Sequence, residues 1–163
     1  MFEPLFKIVE QNAQKSIIQN SAVPDQLNNA AIKEVTTQIF TGLKGQVSEG
    51  NMQQVISMFQ IGSKGMTSHP VVGSIIASVA ESLVAKFGIQ SAVAQSIATG
   101  MVPAVMTEVI RKANDPRDIE FDLQQMMRSM TGNSALDISS MMPQPQRGAI
   151  GKMGDMFGKL FGK

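Results

Sequence analysis

The side chains able to do chemistry are few and scattered. One histidine is present, His69, and it stands directly before Pro70. A general base needs a positioned partner, and no carboxylate lies within ten residues on either side. His69 is therefore expected to cap a helix or to face solvent. Asp115, Asp118, Glu120 and Asp122 crowd one stretch around Arg117. Carboxylate oxygens can hold calcium, but the spacing is not that of an EF-hand. Pro116 comes early, the central glycine is missing, and no Glu closes the twelve-residue loop. A charged surface loop with Asp122 as a cap is expected instead. Gly62-Ser63-Lys64-Gly65 places a lysine between glycines, but nothing of the form GxxxxGK[ST] surrounds it, so a plain loop is expected. The chain has no cysteine, which excludes disulfides, thiolate metal sites and cysteine nucleophiles. No catalytic, cofactor-binding or metal-ligating residue is assigned, and an enzyme is not expected.

The elements that would carry these residues read as helices throughout. The centre is the apolar run 70–113. Val72, Ile75, Ile76, Val79, Leu83 and Phe87 recur at three- and four-residue steps, with Ser74, Ser78, Glu81, Ser82 and Lys86 on the other side. His69 and Pro70 fit its cap and first helical position. Gly88 fits a left-handed ending, with Ile89 placed to touch Val84 in a Schellman-type close. A further segment begins near Ser91. Pro103 lies inside its pattern, and a break at Gly100 is expected, with Pro103 in the first turn of the next piece.

Before this core, Phe2, Leu5, Phe6, Val9, Ala13 and Ile17 make a first amphipathic helix over about 3–19. Pro24 and Asp25 open a second, striped by Leu27, Ala31, Val35, Ile39 and Leu43. Gly42, Gly45 and Gly50 leave its end unsettled. Asn51 opens a short third helix through Met52, Val55, Ile56 and Phe59. After the core, Asp122 and Gln125 form a capping box, with Phe121 and Met126 as its hydrophobic staple. Leu123, Met126, Met127 and Met130 form the buried face, and Gly132 closes the helix. No period-2 run suggests a strand. The class is all-α: a compact array of six or seven short amphipathic helices over 1–132, a linker over 133–146, and a flexible amphipathic tail over 147–163.

Charge and composition narrow the partners. The 163 residues carry a formal net charge of +1, and 50–107 contains only Lys64, Glu81 and Lys86 as full charges. Such a balance gives no pull toward nucleic acid or anionic surfaces. No basic leader precedes an apolar run, and no stretch holds about 18 consecutive apolar residues, so a cytoplasmic protein without a membrane span is expected. Thirteen methionines take up filling that eight Phe cannot.

The tail is the remaining candidate for contact. Ile150, Met153, Phe157, Leu160 and Phe161 fall at helical spacing, interrupted by Gly151, Gly154, Gly158 and Gly162. Each glycine costs about 1 kcal/mol of helix propensity, so burial must hold the segment if it is to be helical. With Met141 and Met142 of the linker, these five are the candidate partner or membrane contacts. Arg147, Lys152, Lys159 and Lys163 would favour a membrane surface.

The order HPVVGSIIASVAESLVAKFGI, AVAQSIATGMVPAVM and NDPRDIEFDLQQMM, after an N-terminus reading MFEPLFKIVEQNAQ, resembles the YidB-like group of small bacterial helical proteins of unknown function. The resemblance covers about residues 1–132. It implies a compact helical array, sometimes likened to homeodomains, and brings no activity, cofactor or site residue. The expected function is non-enzymatic: contact with an unknown protein partner or self-association, without a cofactor. The alternatives are nucleic-acid binding, which the homeodomain likeness alone suggests and the charge balance disfavours, and weak membrane-surface association through the tail.

Overall fold

In a computed structural model, the residues described are 2–61, 65–115, 117–118 and 121–138. Among them there are six α-helices and no strand. Helix α1 spans Phe2–Ala13 and runs on through a wider π turn at Gln14–Ile18. A 3-10 turn at Asp25–Leu27 leads into α2, Asn28–Ser48. Then follow α3, Met52–Ile61, a 3-10 turn at Met66–Ser68, and α4, Pro70–Phe87. The last two are α5, Ser91–Ala113, and α6, Leu123–Thr131.

The boundaries follow the local chemistry. His69 sits in extended conformation before α4, and its Nδ1 accepts a hydrogen bond from the Val71 N–H at 3.3 Å. The Pro70 ring occupies the first helical position, where a missing N–H costs nothing. At the other end Gly88 has φ of 64°, and its N–H reaches the Val84 carbonyl at 3.0 Å. That bond is the simpler αL ending rather than the expected Schellman pair. Asp122 caps α6 as expected, its Oδ1 accepting from the Gln125 N–H at 2.9 Å, with Phe121 and Met126 both buried.

Two expectations are corrected. Helix α5 does not break at Gly100; it runs through Pro103 for 23 residues. An interior proline costs about 3 kcal/mol. Against this stand ten buried residues along α5, from Ala94 to Ile110, with Pro103 among them. Burying one large aliphatic side chain returns about 1.5–3 kcal/mol, so packing on both sides of the ring outweighs the lost bond. The second is Ser82. It does not face outward with Ser74 and Glu81 but is buried against α2.

Helix α4 packs most extensively against α5 and then α2, and α1 lies across α2 and α5. Helix α2 continues through Gly42 and Gly45 to Ser48. Gly42 has a packing reason: a Cβ there would lie 2.8 Å from Ile75 Cγ1 of α4. The core is continuous from Leu5 to Ile138 and holds Met58, Met66, Met101, Met106, Met126, Met127 and Met130. Residues 133–138, expected to belong to the linker, are tied to α6. The Leu136 carbonyl accepts from Gln124 Nε2 and from Arg128 Nε, the Ile138 N–H donates to Gln124 Oε1 at 3.1 Å, and Ile138 is buried.

Candidate functional site

The residues singled out for chemistry are taken up by structure. The His69 imidazole is a cap, and its partial burial lowers its pKa from the ordinary value. Neutral Nδ1 is what an acceptor requires. In the acidic stretch, Asp115 Oδ1 accepts from Arg117 Nε at 3.1 Å, and Asp118 accepts from Lys112 Nζ at 3.2 Å. The Arg117 hydrogen bonds hold the Asp115 carboxyl below the usual carboxylate range. Asp122 is the α6 cap, and Glu120 lies outside the described residues. No group of three or more His, Cys, Asp or Glu able to hold a metal is present among the described residues. Met126, Met127 and Met130 are core. Residues 62–64 and the contact candidates Met141, Met142, Ile150, Met153, Phe157, Leu160 and Phe161 lie outside the described residues.

Two features emerge only in three dimensions. The first is a polar clasp between α2 and α4. Glu34 Oε1 accepts from Ser82 Oγ and from Gln38 Nε2 at 2.8 Å, and Glu34 Oε2 accepts from Lys86 Nζ at 2.9 Å. The Glu34 side chain is 11% exposed, and that of Lys86 is 57% exposed. Burial pushes the Glu34 carboxyl up, but the hydrogen bonds from Ser82, Gln38 and Lys86 outweigh it, and the net shift is downward. A carboxylate held ionised by three donors is a weak proton acceptor, and Ser82, which lines a shallow depression with Gln38 and Glu81, already spends its hydroxyl proton on Glu34. The arrangement fixes the helix pair rather than activating the hydroxyl. Fifty-two residues separate Glu34 from Lys86, so no periodicity could have paired them.

The second is the outer face of the α4–α5 hairpin. Gly73, Ser74, Ala77, Glu81, Val84 and Ala85 are exposed on α4, and Ala92, Ser96, Gly100 and Ala104 on α5. Val84, at 37% exposure, stands out as an exposed large hydrophobic residue. A shallow depression of about 300 Å³ lies beside it, between Ala80, Ala85, Ser91 and Gln95. A neighbouring one of about 280 Å³ opens toward Gln38 and Ser78, and Glu81 lines both. The four-residue step of Ala92, Ser96, Gly100 and Ala104 is present in the sequence, but the bulky residues alone mark the buried side, and only the packing shows that these four lie together on the exposed one.

No protein-family model, curated protein or solved structure matches this chain.

Proposed function

We propose that this chain is a non-enzymatic helical protein of the YidB-like kind, working in the bacterial cytoplasm through contact with a protein partner or a second copy of itself. The observation that supports the reading best is the outer face of α4 and α5. An ordinary solvent face of a helix carries Lys, Glu and Gln, whereas here small neutral residues surround an exposed Val84. Interface cores are depleted in charge, and this face carries Glu81 as its principal charge. The tail residues Ile150, Met153, Phe157, Leu160 and Phe161, with Met141 and Met142, are a second contact element in this reading.

Site-specific crosslinking tests it. A photo-reactive residue at position 84, and another at 157, is expected to give discrete adducts with one protein or with the chain itself. The same group at Lys33, exposed on α2, is the control. Adducts no different from those at position 33 overturn the reading for the α4–α5 face. Deletion of residues 143–163 that leaves every adduct in place removes the tail from it.

A further inference from the structure

Glu81 is the one carboxylate on the outer side of α4, and it lines both depressions there. Among the described residues it has no ion pair and no side-chain hydrogen bond. Lys86, the nearest lysine along α4, is paired with Glu34 at 2.9 Å. Val84 stands exposed between Glu81 and Ala85, over a depression floored by Ala80. A Cβ added at Gly73 or Gly100 meets nothing within 4 Å, so no described segment covers either helix there. The face offers holes and one negative charge.

The end of the chain offers the reverse. Ile150, Met153, Phe157, Leu160 and Phe161 are bulky and apolar, and Arg147, Lys152, Lys159 and Lys163 outnumber Asp155. Glycine stands next to four of the five apolar residues, at Gly151, Gly154, Gly158 and Gly162. Glycine disfavours a free-standing helix, so such a sequence needs a surface to order on. Large side chains set against small ones interdigitate, and glycine lets the backbones approach closely.

The reach is sufficient. The described chain ends at Ile138, which is buried beside α6. Residues 139–149 extend to at most about 40 Å, while a domain of this length has a radius of gyration of about 14 Å. A tethered segment also meets its own domain at an effective concentration on the order of millimolar, which favours it over a separate molecule of equal fit.

We propose that residues 150–161 dock on the outer face of α4 and α5 of the same molecule, with the apolar side chains over Val84 and its depression and the lysines beside Glu81. The inference rests on the contact reading of that face and names its resident occupant. A protein partner then has to displace the tail.

The chain lacks cysteine, so the full-length protein takes a single nitroxide at Met156→Cys, outside the five contact residues. Paramagnetic broadening of backbone amides is read at Val84, Ala85 and Gln95, and at exposed Gln125 of α6 as the control. Broadening at 84, 85 and 95 several-fold above that at 125 is expected. Phe157→Ser/Leu160→Ser should bring it down to the control, and Glu81→Lys, at an exposed position, should melt like the parent and weaken it several-fold. Broadening at 84 no greater than at 125 overturns docking, and so does broadening that survives both variants unchanged. A mixture of isotope-labelled chains without nitroxide and nitroxide-bearing chains without isotope should show none. Equal broadening in that mixture overturns the same-molecule assignment and gives the face to the tail of a second copy. A failure of docking leaves the crosslinks at position 84 above those at 33, whereas a failure of the contact reading brings them level, so the two are told apart.

Discussion

Where α4 meets α2, the space is filled; where α4 faces outward, there is room. On the inner side Ile75 fills the space left by Gly42, and Glu34 gathers Ser82, Gln38 and Lys86 around one carboxylate. On the outer side a Cβ added at Gly73 meets nothing within 4 Å, and Ala77 and Ala85 are exposed. Small residues stand on both sides, yet for opposite reasons. Inside, Gly42 permits a close approach; outside, smallness leaves a smooth and nearly uncharged face. Residue type alone does not separate a packing glycine from an unneeded one. Only the distance to the neighbouring helix does.

The largest effect is expected from emptying the inner side. Leu83 is fully buried, and Leu83→Ala should lower unfolding free energy by about 2–5 kcal/mol in a urea titration. Ala77→Ser, on the same helix but exposed, should stay within about 0.5 kcal/mol of the parent. Equal losses at the two positions would erase the contrast between the faces.

A finer cut uses two glycines three residues apart on α2. Gly42→Ala places a methyl 2.8 Å from Ile75 Cγ1, near the branch point of a stiff side chain, and should destabilise by about 1–3 kcal/mol. Gly45→Ala meets nothing within 4 Å and should stabilise by about 0.5–1 kcal/mol through helix propensity alone. The clash has a named partner, so Ile75→Ala should cancel it. In that background Gly42→Ala is expected to become neutral or mildly favourable. A double-mutant cycle showing no coupling would mean that the helices do not approach at this point.

Much of this architecture was legible along the chain, and the omissions have physical causes. Helix positions came through because burial imposes a 3.6-residue period on Val, Ile and Leu, as in α4. The Asp122 and His69 caps came through because capping is a short-range bond. The break expected at Gly100 does not occur, because burial along all of α5 outweighs the hydrogen bond missing at Pro103. The polarity of Ser82 fits solvent, whereas its partner Glu34 is contributed by another helix 48 residues away. Gly42 looked like a loosening residue because its reason for being glycine is Ile75. The contact candidates from Met141 to Phe161 lie outside the described residues. Within the described residues the α4–α5 face stands as a further candidate beside them.

The clasp gives a smaller, pH-dependent effect. The folded-state pKa of Glu34 is lowered, so its contribution is fully present above the unfolded value of about 4.3 and is lost as pH falls through the folded value. Glu34→Gln removes the charge while keeping the shape, and should cost about 1–3 kcal/mol near neutral pH. The difference between parent and variant should shrink as urea titrations move down through the carboxylate range. Lys86, more than half exposed, should matter less: Lys86→Met is expected to cost at most about 1 kcal/mol. If the Glu34→Gln difference is the same at every pH, the carboxylate is not ionised in the fold and the clasp is misdrawn.

The smallest effect is at the start of α4, where one side chain does two jobs in different pH ranges. Neutral His69 accepts from the Val71 N–H at 3.3 Å, and protonation of Nδ1 turns that acceptor into a donor facing another donor. Its folded pKa lies below the ordinary imidazole value because burial disfavours the charged form. The cap is therefore complete above the unfolded value of about 6.5 and is lost as pH falls through the lower folded value. His69→Ala should cost about 0.5–2 kcal/mol above neutral pH, and progressively less below it. His69→Asn supplies an acceptor that does not titrate in this range and should recover the stability at every pH. A His69→Asn protein with the parent's pH dependence would place the titration elsewhere and leave His69 as a spacer before Pro70.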